Sequence, residues 1–504
     1  MALDLKPYVT LKPFMGPLES WLPAEDAERI QAYQLYEGIY RNVPDAFKLV
    51  QRGSDSNPIY IPSAKTLVEA KNRFLAKRWT YALDPKLGSD PERAALDAML
   101  TRLFRREQVW SKFATQKRFG LIRGDAVWQI TADENKPEGR RLNIYEVDPA
   151  AYFPIEDPWN PEKILGCHIV EPVEVEPGSG KTVIKRQTYR KTDAGRISYE
   201  LSWWENGAWD DRPFSGQTLK RAQQIPEGEH NRPVEFELPE EITAIPVYHV
   251  KNSRTPGASF GTSELEGFER IIGAVNQAIS DEELTLALEG LGLYWTNSGP
   301  PVDEDGNETN YRLGPGWVVE IDPESTFGRA NGVTSVAPML EHIRYLEGTM
   351  REASGVPDIA VGKVDTAVAE SGIALAFHMA PILSGNEEKE QELLSVMDHM
   401  LYDLAGWFAA YEELSLTPAQ AVSIVDDPLP INRKAVIEEV VMLLSTDPPL
   451  ISVEYARTLL SEKLGFDFPD EMFNTIVNEA EALAKARNQD PFAARVASEL
   501  SEEQ

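Results

Sequence analysis

Between about Ser263 and Leu414 the chain carries helical patterns too long to fold into one compact globule. Leu265, Phe268, Ile272, Val275 and Ile279 step by three and four, which predicts a helix from near Ser263 to about Glu289 with one buried face. Its opposite face carries Glu266, Arg270, Gly273, Gln277 and Asp281, a mixture of small and polar side chains suited to water. At about 1.5 Å per residue such a helix is roughly 40 Å long. A second helix spans Ser335 to Ala353 and stops at Gly355-Val356-Pro357, and a third runs from about Ser371 to Leu414. The third contains Pro381 and Gly385; a proline removes a backbone donor and a glycine loosens the backbone, so a bend is predicted there. Beyond it, Leu393, Met397, Met400, Leu404 and Trp407 share one stripe. Residues 291 to 333, between the first two helices, read as a small α/β insertion with an acidic loop, VDEDGNET. DIAVGKVDTAVAESG, between the second and third, reads as a loop of small and apolar residues.

The flanks supply a conventional body. Helices are predicted over Ala24 to Tyr40, over Ser63 to Trp79 with Ser63 as N-cap, and from Pro91 onward behind Asp90. From about Gly124 the pattern changes to short β-rich runs, AVWQIT, LNIYEV, CHIVEPVEVE, TVIKRQTYR and ISYELSWW, separated by turn residues. These predict a mostly antiparallel sheet, with Asn206-Gly207 as a hairpin turn. IPVYHV adds a strand before the loop KNSRTPGASFG. After the third long helix come a strand-like AVSIVDD and helices over Asn432 to Ser445, Val453 to Leu464 and Asp470 to Arg487. The fold class is α+β.

Composition narrows the function. The 504 residues are 42% hydrophobic and 26% charged, enough for sizeable cores and too polar for a membrane bundle. No window approaches the run of about 18 apolar residues that spans a bilayer, and the first residues lack a basic segment leading into an apolar one, so neither insertion nor secretion is expected. A single cysteine, Cys167, excludes an intrachain disulfide and a thiolate cluster. The histidines at positions 168, 230, 249, 342, 378 and 399 lack metal-ligand spacing, so no metal or cofactor is expected. With 81 Asp+Glu against 50 Lys+Arg the formal charge is −31, which repels a polyanion unless basic groups are concentrated. Tight sequence-specific DNA binding is thereby disfavoured, whereas a passive conduit with non-adhesive walls is compatible.

Gly178-Ser179-Gly180-Lys181-Thr182 matches the end of a phosphate-binding loop. The full pattern needs a glycine where Val175 stands and a helix after the threonine; the flanks EPVEVEP and TVIKRQTYR alternate like hairpin arms instead. Glu282-Glu283 and Asp303-Glu304-Asp305 read as solvated faces and turns. No catalytic residue is assigned, and the chain is expected not to be an enzyme.

The order of elements carries the remaining information. IPVYHVKNSRTPGASFGTSELEGFERIIGAVNQAISD, then MREASGVPDIAVGKVDTAVAESGIAL, then the helix ending LLSVMDHMLYDLAGWFAAY together resemble the portal proteins, or head-to-tail connectors, of long-tailed bacteriophages, over most of the chain. The first stretch resembles the passage from the wing into the stem helix, the second the passage from a stem helix into the channel loop, and the third the long kinked helix.

The resemblance implies a portal fold: an α/β wing over 1–260, stem helices over 261–290 and 335–353, and a small α/β clip over 291–334. A tunnel loop over 354–370, a long kinked helix and wing return over 371–450, and a helical crown and tail over 451–504 complete it. It implies a ring, usually of twelve subunits, at one capsid vertex of the virion, assembled in the host cytoplasm. Packaged and ejected double-stranded DNA would pass through without sequence specificity. The implied partners are other copies of the chain, the terminase large subunit, a head-completion adaptor, and the major capsid and scaffolding proteins. Carried to this sequence, Val361, Gly362, Lys363, Val364 and Asp365 become the tunnel loop, Arg270, Gln277 and Asp281 channel-facing stem residues, and Asp303, Glu304 and Asp305 clip contacts. Two alternatives stand beside it: a nucleotide hydrolase using Lys181 and Thr182, and a minor capsid or scaffold protein without a channel.

Overall fold

The alternating runs after Gly124 pair as antiparallel sheets, and the helices before them close over one side. A computed structural model of the chain describes residues 24–51, 58–84, 89–176, 178–179, 182–205, 224–226, 234–291, 293–301, 307–309, 311, 321, 323–330, 337–363, 372–412, 421–426, 433–446, 450–464 and 475. Two compact units divide it, residues 1–428 and 429–504.

In the first unit, helices α1 (Ala24–Tyr40), α2 (Ser63–Phe74), α3 (Asp90–Arg106) and α4 (Val109–Arg123) precede the sheets. Strands β2 (Asp125–Ala132), β3 (Leu142–Val147) and β9 (Val247–Lys251) form one sheet in the order β3-β2-β9. The middle strand β2 is buried on both faces, which is why AVWQIT alternates so weakly. A five-stranded antiparallel sheet runs β4 (Tyr152–Asp157), β5 (Asn160–Glu174), β6 (Thr182–Lys191), β7 (Ile197–Glu205), β8 (Val234–Glu237). Glu174 faces Thr182 across β5 and β6, so the Gly178 segment is a hairpin connection and a strand, not a helix, follows it. β1 (Thr80–Leu83) pairs with β12 (Ala421–Ile424), joining the segment after α2 to the last described strand of the unit.

Three helix starts differ from the sequence reading, each for a local reason. Ser63 is not an N-cap: Pro62 holds that position with φ −78°, and Ser63 is a buried first helical residue. That helix stops at Phe74 rather than Trp79, because Ala76 and Arg78 take φ of 41° and 50°, which turns Trp79 into the core against Phe104 and Phe113 at 5.7 and 4.9 Å. The α3 cap lies one residue before the Asp-Pro pair: the Ser89 N–H and hydroxyl both donate to Glu92, at 2.7 and 2.9 Å. The first long helix, α5, begins at Glu269 and ends at Leu291. Its expected start, Ser263, is used otherwise: the hydroxyl donates to the Ile122 carbonyl at 2.5 Å and accepts the Leu265 N–H at 3.0 Å. Tertiary hydrogen bonds there displace the helical ones.

After α5, β10 (Leu293–Thr296) pairs antiparallel with β11 (Phe327–Ala330), which closes the insertion at its base. Among the described residues of the insertion there is no helix, so its expected α component has no counterpart there. Helices α6 (Ala337–Ser354) and α7 (Gly372–Tyr411) follow; α7 is assigned as one helix across Pro381. Asn206-Gly207 lies outside the described residues. No described helix is long and apolar enough to cross a membrane.

The second unit contains α8 (Arg433–Ser445) and α9 (Val453–Leu464), which pack on each other around Val440 and Ala456. Ser452 starts α9 as its cap, its hydroxyl accepting the Tyr455 N–H at 3.1 Å. The helix expected over Asp470 to Arg487 lies outside the described residues, apart from Thr475.

Candidate functional site

Five elements follow one another in the first unit and form a path in chain order: the link into α5, the β10–β11 hairpin, α6, a capped turn, then α7. Its root is fixed by buried charge. Asp125, fully buried, accepts from the Tyr33 hydroxyl at 2.5 Å, from His249 Nε2 at 2.7 Å and from the Gly261 N–H at 2.8 Å. Gly124 and Gly261 meet backbone to backbone; a Cβ on Gly124 would sit 2.7 Å from the Gly261 carbonyl oxygen. Three residues on, Glu264 lies between two cations, Lys71 of α2 and Lys389 of α7, the latter at 2.7 Å, and also accepts from Asn252 at 2.8 Å. Burial alone would raise the Glu264 carboxyl, but the two ammonium groups outweigh it and hold the group below its usual range. Separate helices are thereby tied to the segment entering α5.

Along α5 the apolar stripe follows its spacing in part: Leu265 ahead of the helix, then Ile272 and Val275, are buried, whereas Phe268 and Ile279 are half-buried. The polar face is used differently from what spacing suggests. Asn276 Oδ1 accepts the Ile61 N–H at 2.9 Å, and Ser280 Oγ accepts the Ile59 N–H at 2.9 Å. Gln277 Oε1 accepts the Val50 N–H at 2.7 Å while its Nε2 donates to the Val50 carbonyl at 3.3 Å and to Asp281 at 2.9 Å. The expected channel-facing group is therefore split. Arg270 is exposed, whereas Gln277 and Asp281, one helical turn apart, are joined to each other, and Gln277 pins an extended segment to the helix.

α6 packs against α5 and ends in a Schellman cap: Gly355, at φ 68°, donates to the Glu352 carbonyl at 3.1 Å, and Val356 donates to the Arg351 carbonyl at 3.1 Å. Asp358–Val361 then forms a single 3-10 turn that closes the same way: Gly362, at φ 86°, donates to Ile359 at 3.1 Å, and Lys363 donates to Asp358 at 3.0 Å. Arg351 Nε meets Asp358 Oδ1 at 2.6 Å, clipping the turn to the helix it leaves. The expected loop thus begins as an ordered, doubly capped turn that presents Lys363 at its end. Of the expected tunnel-loop residues, Val361, Gly362 and Lys363 belong to this turn; Val364 and Asp365 lie outside the described residues, as do Asp303, Glu304 and Asp305.

Several large apolar side chains on this path face solvent: Leu286 of α5, Leu340 and Tyr345 of α6, and Phe377 of α7, the last 75% exposed. No group of His, Cys, Asp and Glu among the described residues could hold a metal ion. Cys167 is buried and free. His168 is buried against Thr188, with Nδ1 2.8 Å from the hydroxyl; burial, with Arg186 and Arg190 nearby, pushes its pKa down to about 3. Both are side chains of the body, remote from solvent.

Glu264, Arg351, Asp358, Asn276 and Ser280 were not singled out from sequence. The caps had a signal, since Gly355 and Gly362 stand seven residues apart and Pro357 follows the first; the pairing of Glu264 had none, because Lys71 and Lys389 are far away in the chain.

No family model matches the chain, and no curated protein matches it. Among solved structures, a chain of the "Virion of native gene transfer agent (GTA) particle" aligns with 88% of this chain and 94% of that one, at a TM-score of 0.41 and 12% identity. A similarity of that size assigns neither family nor function.

Proposed function

We propose that the chain is a portal-type subunit, one of a ring around a channel through which double-stranded DNA enters and leaves a capsid. The observation that carries the reading is the order α5, hairpin, α6, capped turn, α7 among the described residues, rooted in the body by Glu264 and Asp125. A rigid root with apolar side chains left outward along the path is what a subunit needs if neighbours are to cover them. In this reading the hairpin meets the terminase large subunit and later the head-completion adaptor, while the outer body meets capsid and scaffolding proteins. ATP hydrolysis belongs to the terminase. The hydrolase alternative is disfavoured by the strand after Gly178, since a phosphate cradle needs a helix N-terminus at that point.

Lys363 is the expected point of transient phosphate contact, a single cation at the end of a capped turn in an acidic chain. In a reconstituted packaging reaction, Lys363→Glu should leave rings and heads intact and reduce the yield of DNA-filled heads. Packaging at the unaltered rate and to the unaltered genome length would remove this turn from the channel wall.

A further inference from the structure

Trp295 is 53% exposed on β10, directly opposite Gly328 of β11. The pairing is closer than two ordinary strand residues permit. A Cβ on Gly328 would lie 2.8 to 2.9 Å from three atoms of the indole, so the ring lies on bare backbone and only the absence of a side chain at 328 allows it. One face of the indole is therefore seated and the other is free. Just beyond, Asn297 ties the strands: its Oδ1 accepts the Thr326 N–H at 2.6 Å, and its own N–H donates to the Thr326 carbonyl at 3.4 Å. The platform is consequently held in one orientation, at the base of an insertion that is acidic by sequence, with seven Asp and Glu against two Arg over residues 292–336.

We propose that Trp295 is an anchor for an arginine-rich segment of a partner protein. The net charge of the insertion, read from its sequence, repels nucleic acid and attracts cations. A seated indole with one open face suits a planar guanidinium, which stacks as well as pairs; a lysine ammonium offers only its charge. Aromatic side chains fixed in this way are the type of residue that dominates protein interfaces. The inference deepens the reading of the insertion as a docking site, naming the chemistry of what docks, and its test does not require a ring.

The probe is a fluorescein-labelled arginine-rich peptide titrated into the full chain and followed by anisotropy. Trp295→Ala should weaken binding about tenfold, Trp295→Phe less, and a lysine peptide of equal charge should bind wild type more weakly than the arginine one. Trp159, 94% exposed on the β4–β5 connection, is the control, and Trp159→Ala should change nothing. Gly328→Ala keeps the indole but lifts it from its seat, and should lose affinity as Trp295→Ala does, which guards against a folding defect of the first variant. Wild-type affinity in Trp295→Ala would overturn the proposal by showing that the peptide reads net charge alone, and equal losses in both tryptophan variants would overturn it by showing that any exposed indole serves. Failure of the purified chain to form rings would count against the channel reading and leave this titration unaffected.

Discussion

The root of the central path and its far end are built on opposite principles. At the root, charged groups are buried and fully engaged: Glu264 between Lys71 and Lys389, Asp125 under three donors, and Arg123 between Glu37 and Asp148, the last at 2.8 Å. Along α6 and the turn after it, Arg351 pairs with Glu347 at 3.6 Å and with Asp358, which is 61% exposed, and large apolar side chains such as Tyr345 face water. A buried charge deprived of its partner is expensive, whereas an exposed pair contributes little. The root is thus held by engaged buried charges, while the path that follows it leaves apolar surface for something else to cover.

The contrast should show first in Glu264→Ala, which strands two lysines in a part-buried site and should cost about 3 kcal/mol, read as a lowered urea midpoint of the full chain. A loss under about 1 kcal/mol would place the root in the same class as the far end.

Acid should separate the regions next. The folded pKa of His168 is depressed to about 3 against an ordinary 6.5, so the unfolded chain binds the extra proton between those values. Its contribution is complete above pH 6.5 and declines as pH falls toward 3, by at most about 1.4 kcal/mol per pH unit. Glu264, whose folded pKa is also depressed, adds a decline in the same direction below about 4.5. His168→Gln should flatten stability between pH 6.5 and 5 relative to wild type; identical slopes would show that the histidine is solvated in the folded chain.

The smallest effect belongs to Arg351→Ala, about 1 kcal/mol or less because Asp358 is solvated. Its signature is local: faster amide exchange at Lys363, whose N–H bonds to the Asp358 carbonyl, with no change in the sheet. Exchange unchanged at Lys363 would mean the two glycine caps hold the turn unaided.

Much of this was legible in the sequence where the signal is local. Ala24–Tyr40 and Val453–Leu464 have the bounds that periodicity predicts, and each strand run that alternates between turn residues is a strand. The Gly178 hairpin was legible too, because Val175 and the alternating flanks argue against a phosphate loop before any coordinates do. What failed was helix entry at Ser63 and Ser263. Both serines look like caps, but the first follows Pro62, which itself takes the cap position, and the second spends its hydroxyl on Ile122, more than a hundred residues away. For the candidate site, Gly355 and Gly362 signal the turn before Lys363, although the segment reads from sequence only as a loop of small and apolar residues. The engagement of Gln277 with Val50 and of Glu264 with two lysines depends on which segments meet in space, and side-chain type alone carries no record of that.

The central claim is that the outward surface of this path is covered by other copies of the chain around an open channel. Negative-stain images of the purified full-length protein test it most directly. The account predicts closed rings with a central hole. Monomers alone across a wide concentration range, with and without capsid protein, would contradict it.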